Sequence, residues 1–205
     1  MTKNKKNNKW FNRHISDKYV LQSKRMNYSS RAAFKLIAID DKFKILDGIE
    51  SVVDLGCAPG SWCEVLSKKI KIKTIVGIDR LFCNLPSNVD FYQLDISDHE
   101  QVKEKMKNYS HKFDLVLSDI APNITGIGDI DQENFKTVAD SILAFCKVYL
   151  CFRGILVMKF FIGYNLKKLQ DDLSVVFTSV SAFKPDSSRQ KSSEVYLVCI
   201  DYQNQ

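Results

Sequence analysis

Val52-Val53-Asp54-Leu55-Gly56-Cys57-Ala58-Pro59-Gly60-Ser61-Trp62 is the stretch whose reading decides the fold. A β-branched run ends in an acid, two glycines follow four residues apart, and a helix-like segment begins after them. The pattern is strand, tight Gly-rich loop, helix. In an open α/β sheet, ligands bind in the crevice at the carboxyl end of such a strand. Without Cβ atoms, Gly56 and Gly60 let the backbone approach a ligand closely and reach positive φ. The helix that follows opens with N–H groups that have no intrahelical partner. Taken alone, the Gly pair also fits an ordinary turn between strand and helix.

The neighbouring residues narrow the ligand. A dinucleotide fingerprint reads G-x-G-x-x-G, and a Walker loop needs Gly-Lys followed by Ser or Thr. Here the spacing is Gly56-x-x-x-Gly60 with Pro59 inside it, and no Gly-Lys-Ser/Thr is present. Asp54, Asp79 and Asp95 stand at the ends of successive strand-like runs. That crowd of acids repels a pyrophosphate but suits a ligand with a cationic centre, an amino group and a ribose. S-adenosylmethionine carries all three and is the cofactor expected.

Working outward, strand-like runs at 51–55, 74–79, 89–94, 113–118 and 154–160 alternate with helical segments at about 60–70, 98–108 and 131–151. Such alternation implies an α/β fold with a parallel sheet and right-handed crossovers. A weaker helix at 165–172 leads to two last runs, 175–183 and 194–201. The short link Lys184-Pro185-Asp186-Ser187-Ser188-Arg189 permits a hairpin, so the last strand is expected to be antiparallel. Upstream, Ser16 is placed to cap a short basic helix over 16–26, and Ser29 or Ser30 a second over 30–42. The second turns Ala33, Phe34, Ile37 and Ala38 towards a core.

Composition bounds the rest. A chain of 205 residues, 45% hydrophobic and 26% charged, suits one globular domain. No apolar run reaches membrane-spanning length and no apolar segment follows the basic N-terminus, so neither a membrane nor a secretory route is expected. Six cysteines without a C-x-x-C pair read as reduced residues of a cytoplasmic protein. Neither they nor the three histidines show metal-ligand spacing, so no metal is expected. The net charge of +6 is uneven: residues 1–31 hold nine basic residues and one acid. With Trp10, Phe11 and Tyr19 interleaved, this arm reads as a nucleic-acid footprint with rings for stacking on bases. The expected organisation is a basic, partly disordered, RNA-binding extension over 1–28 and a single domain over 29–205.

Asp54, Asp79, Asp95, Asp119 and Lys159 all fall at or near carboxyl ends of expected strands. Lys159 interrupts Ile155-Leu-Val-Met-Lys-Phe-Phe-Ile162, where a charge is costly unless paired or deprotonated. A desolvated lysine is one route to a general base. Lys35 lies among apolar residues of the second helix, where lysines commonly extend their heads to solvent.

Several motifs in order resemble one family. They are Ser16-Asp-Lys-Tyr-Val20, Ser30-Arg-Ala-Ala-Phe-Lys-Leu36, Asp54-Leu-Gly-Cys-Ala-Pro-Gly-Ser-Trp62, Ser118-Asp-Ile-Ala-Pro-Asn123 and Val157-Met-Lys159. Lys184-Pro-Asp-Ser-Ser-Arg189 and Ser193-Glu-Val-Tyr196 complete the set. Together they are similar to the FtsJ (RrmJ) family of RNA ribose 2′-O-methyltransferases over nearly the whole chain. The resemblance implies a Rossmann-like class I fold for S-adenosylmethionine-dependent methyl transfer: a seven-stranded, mostly parallel sheet with the last strand antiparallel and helices on both faces. It implies a Lys-Asp-Lys-Glu catalytic tetrad at Lys35, Asp119, Lys159 and Glu194. The implied cofactor positions are Gly60, Trp62, Asp79, Asp95 and Asp119, beside Asp54 and Gly56 from the Gly-rich stretch. Cys57 and Ser61 replace residues common in the family, both by small side chains, and the segment after Asp95 departs from the family pattern.

The resemblance further implies that Lys159 is the base, that Glu194 holds Lys35, and that a uridine of large-subunit ribosomal RNA on the assembled 50S subunit is the target of a monomeric enzyme. Burial and the charge of Lys35 would depress the pKa of Lys159. A close Asp119 would oppose this, so Asp119 is expected to orient Lys159 and the methyl donor. The competing readings are methylation of transfer RNA or an mRNA cap ribose, methylation of a base nitrogen, and a ribosome-assembly factor that binds RNA and cofactor without catalysis.

Overall fold

The computed structural model describes residues 17–122, 124–162, 166–189 and 191–204. Residues 1–16, and with them Ser16 and most of the basic arm, lie outside the described residues. The helices are α1 (Lys18–Arg25), α2 (Ala33–Phe43), α3 (Ser61–Leu66), α4 (His99–Met106), α5 (Gly128–Tyr149) and α6 (Leu166–Ser174). The strands are β1 (Ser51–Leu55), β2 (Thr74–Asp79), β3 (Asp90–Gln93), β4 (Phe113–Ser118), β5 (Leu150–Phe161), β6 (Phe177–Phe183) and β7 (Glu194–Tyr202).

These strands form a seven-stranded sheet in the order β3-β2-β1-β4-β5-β7-β6. β1 to β5 pair in parallel, and β7 runs antiparallel to both β5 and β6. The fold is therefore the parallel α/β sheet with an antiparallel last strand that the sequence pattern predicts, in the Rossmann-like arrangement that the resemblance implies. Side chains along a strand alternate between faces. Val53, Leu55, Val116, Leu156, Met158 and Leu197 join one apolar cluster, against α4, α5 and α6. Val52, Leu115, Leu117, Val157, Tyr196 and Val198 join the other, against α2 and α3. With both faces covered, the strands read as continuous apolar runs, which is why a charge at Lys159 stands out.

The entry to the domain differs in detail from the sequence reading. Asp17, not Ser16, caps α1, accepting the Tyr19 N–H at 3.0 Å. α2 starts at Ala33 without a side-chain cap. Ser30 Oγ instead accepts the Ala32 N–H at 3.1 Å and donates to Ser61 Oγ at 2.9 Å, while the Ser29 N–H reaches Glu64 at 2.8 Å. These serines tie the start of α2 to α3 rather than cap a longer helix. The buried face of α2 is Ala33, Phe34, Lys35, Leu36 and Ile39, with Ile37 and Ala38 only half-buried. The apolar stripe is thus turned from the expected one, and Lys35 points inward. Arg31 bonds both Asp17 and the Ser187 carbonyl, so α1 is fastened to the link before β7.

Candidate active site

The Gly-rich turn opens a cavity of about 470 Å³ at the carboxyl ends of the central strands. Gly56 (φ +77°) turns the chain out of β1, its N–H donating to the Ile78 carbonyl at 2.7 Å. A Cβ there would meet Ile120 Cγ1 at 2.3 Å, so only glycine lets the two loops close on each other. Asp79, the last residue of β2, accepts the Ala58 N–H at 2.9 Å and the Leu81 N–H at 2.8 Å. Asp95, just past β3, accepts both the N–H and the hydroxyl of Ser97, at 2.9 and 2.7 Å. That backbone N–H is the main reason its carboxyl is held below the usual range. Gly56, Asp79, Asp95 and Asp119 line the cavity, and α5 closes its side with Thr137 and Ser141.

Lys35, Asp119, Lys159 and Glu194 come together although they are scattered along the chain. β4 delivers Asp119 at its end. β5 runs beside β4 and carries Lys159, whose Nζ lies 3.0 Å from both Asp119 Oδ1 and the Asp119 carbonyl. Because β7 is antiparallel, its first residue lies at the same end of the sheet, with Glu194 opposite Phe161 and Tyr196 opposite Lys159. α2 lies over that face and inserts Lys35, 2.9 Å from Glu194 Oε1 and 3.9 Å from Asp119 Oδ1. Each of the four side chains is at most 20% exposed, so the pairs are little screened by water. Asp119 touches Lys159 directly, as a residue expected to orient it must.

Three of the expected cofactor residues are not among the cavity lining: Asp54, Gly60 and Trp62. Trp62 is buried, donates its indole N–H to the Ala32 carbonyl at 2.7 Å and packs on Tyr196. Gly60 (φ +109°) precedes α3 and closes the turn on the Cys57 carbonyl at 2.6 Å. Asp54 is 1% exposed, with Oδ1 unpartnered and Oδ2 accepting from the Cys63 thiol. Burial pushes its carboxyl up to about 8, so it brings a proton rather than a charge to the base of the turn.

Tyr196 is the residue that sequence reasoning passed over. In Glu194-Val-Tyr-Leu-Val198 it reads as a core aromatic of a strand. Its ring is fully buried, yet its hydroxyl donates to Asp119 Oδ1 at 2.6 Å. Burial, then the Asp119 charge, raise the phenol well above its usual value and keep it a donor. The sequence signals were its place at the end of the motif Ser193-Glu-Val-Tyr196 and its spacing of two from Glu194, which puts both on one face.

A model described as FtsJ-like methyltransferase matches residues 28–202. The chain belongs to that family. It is 39% identical, over 95% of this chain and 88% of the relative, to "Ribosomal RNA large subunit methyltransferase E" of Wolbachia sp. subsp. Brugia malayi. The protein of that name from Pelagibacter ubique is 37% identical over 97% of this chain and 98% of its own. A crystal structure of a Plasmodium falciparum protein, titled as a ribosomal RNA methyltransferase, superposes with a TM-score of 0.78 and 32% identity. It covers 87% of this chain and all of the solved one. This FtsJ-like methyltransferase thus carries its cluster of paired charges at the rim of an acid-lined cavity. Among the described residues, no helix is long and apolar enough to cross a membrane, and no group of three or more His, Cys, Asp or Glu residues could hold a metal.

Proposed function

We propose that the protein transfers a methyl group from S-adenosylmethionine to the ribose 2′-OH of a uridine in large-subunit ribosomal RNA, acting in the cytoplasm on the assembled 50S subunit as a monomer. The observation that carries the chemistry is the contact of Lys159 with Asp119, a residue that also lines the acid-rich cavity. The names of the relatives supply the substrate class and favour ribosomal RNA over transfer RNA or a cap.

The residues present fit that cofactor. Asp79 and Asp95 offer acceptors for ribose hydroxyls, the turn at Gly56 lets backbone approach, and the volume is that of a small-molecule site. S-adenosylmethionine, when bound, offers a methyl on a sulfonium sulfur for displacement by an oxygen nucleophile. On the protein's side, Lys159 Nζ, once it has released its own proton to solvent, takes the proton of the attacking hydroxyl as the neutral amine. Asp119, fixed by Tyr196, orients Nζ through its carboxylate and its carbonyl. Glu194 holds Lys35, whose ammonium faces the same carboxylate. The basic extension grips phosphates, with exposed Lys18, Lys24 and Arg25 of α1 continuing it. Most of the rate gain open to such a site lies in aligning hydroxyl and methyl.

The test is Lys159→Ala, assayed with labelled cofactor on large subunits lacking their ribose methylation. Loss of transfer with cofactor binding retained is expected. Retained turnover removes Lys159 from the role of base.

A further inference from the structure

Two hydroxyls of α5 line the cavity in a state that the transfer chemistry does not explain. Asn134, Thr137, Val138 and Ser141 all line it, spaced as one face of the helix. Thr137 Oγ1 donates to the Glu133 carbonyl at 3.0 Å, and Ser141 Oγ donates to the Thr137 carbonyl at 2.9 Å. Such back-bonding is ordinary in helices. Its consequence here is chemical. A hydroxyl has one proton and two lone pairs, so with the proton committed each oxygen offers the cavity an acceptor only.

The sheet decides what meets those acceptors. Lys159 follows Val157 by two residues, so it shares the face on which Val157 and Tyr196 pack with α2 and α3. α5 covers the opposite face. The apolar lining of the cavity, Ile78, Leu94, Ile96, Ile120 and Val138, belongs to the cluster on that opposite face. A cofactor that brings its methyl to Lys159 therefore lies across the edge of the sheet, with one arm over the face of α5. Two arms run from the sulfur of S-adenosylmethionine. The amino-acid arm carries an ammonium and a carboxylate, whose loss of water an apolar lining would not repay. The adenine arm is a flat ring, apolar on both sides, with an amine on its edge. Adenine is the arm that fits, and a buried amine needs acceptors.

We infer that Thr137 and Ser141 determine the choice of purine: their oxygens accept from the exocyclic amine of adenine and turn away a base with an oxygen in its place. The inference rests on the proposed use of S-adenosylmethionine. It gives the polar stripe of α5 a task in binding, apart from the paired lysines that carry the transfer.

Asp95 is a further acceptor in the cavity, so selectivity of the wild type alone would not isolate α5. The experiment is therefore a cycle, read by calorimetry without turnover. The ligands are S-adenosylhomocysteine and S-inosylhomocysteine, which differ by an oxygen in place of the amine. The proteins are the wild type, Ser141→Ala and the double variant Thr137→Val with Ser141→Ala. The double variant is expected to bind S-adenosylhomocysteine on the order of tenfold more weakly, as the loss of two neutral hydrogen bonds implies. Ser141→Ala, which favours the helix, should show part of that loss. Both variants should bind S-inosylhomocysteine no more weakly than the wild type does, which also shows that the cavity is still folded. Unchanged affinity for S-adenosylhomocysteine overturns the inference and leaves the proposed methyl transfer standing. A loss of equal size on both ligands overturns it as well, because the hydroxyls then do not meet the amine. Failure of the wild type to bind either ligand overturns the proposed cofactor and this inference with it.

Discussion

Asp54 carries the clearest single-residue signature in stability. Its carboxyl titrates near 8 in the folded chain, against 3.8 as the ordinary value. Between those values the unfolded chain has released the proton and the folded one has not. Stability from this group therefore falls as pH rises from about 4 to about 8 and levels above that. Asp54→Asn mimics the protonated form, so the gap in Tm between variant and wild type should widen in the variant's favour across that window. A gap that is flat with pH would mean that Asp54 is ionised in the fold. At Tyr196, replacement by Phe keeps the packing on Trp62 and removes one hydrogen bond to a charged group, worth about 1.5–3 kcal/mol. Denaturant unfolding should show a loss of that order. Transfer should fall more than cofactor affinity, since Tyr196 does not line the cavity. The difference between these two residues explains what could be read from the chain. Asp54 is an acid at a strand end and invites a ligand role, but its depth is set by Cys63 and the turn above it. Tyr196 looks like core because its hydroxyl's partner lies 77 residues away.

At the scale of elements, the turn out of β1 is the most constrained. Gly56→Ala places a methyl against Ile120 in a backbone conformation that L side chains rarely adopt. The loop after β4 must then move, and with it Asp119. Cofactor affinity measured by calorimetry should drop at least tenfold, a loss of about 1.4 kcal/mol or more. Unchanged affinity would show that the two loops part without consequence. Element types and order were legible because both faces of the sheet are covered, which leaves apolar runs broken only by loops. Element ends were less so. β5 starts at Leu150, not near 154, and α5 at Gly128, not 131. α2 begins late because Ser30 commits its hydroxyl to Ser61 and Ala32. Such exchanges are tertiary and leave no local trace. The antiparallel β7 is the element on which the site depends, because only that direction sets Glu194 and Tyr196 beside Lys159.

For the whole molecule, the positive charge is concentrated at the start of the sequence. Residues 1–16 carry Lys3, Lys5, Lys6, Lys9 and Arg13 and no acid. Every phosphate that the protein ceases to neutralise lowers the slope of log K against log salt by about 0.9 for duplex and about 0.7 for single strands. Removing residues 1–16 should therefore flatten the salt dependence of RNA binding by about one or more, with cofactor affinity intact. An unchanged slope would place the RNA contacts on the domain alone. The four tetrad residues span positions 35 to 194, so their meeting is a property of the entire topology. Asp119 and Lys159 were legible as polar residues at strand ends, but Lys35 and Glu194 only through family likeness, since spacing along the chain says nothing of the distance between them.

Everything proposed for the site turns on methylation of a ribose hydroxyl of large-subunit RNA by this chain. The most direct measurement is transfer from labelled S-adenosylmethionine to large subunits lacking ribose methylation, beside free ribosomal RNA and bulk transfer RNA, with the labelled nucleoside identified. The expected product is 2′-O-methyluridine on the large subunit. A base-methylated nucleoside, label on transfer RNA alone, or no label with cofactor binding intact would contradict it.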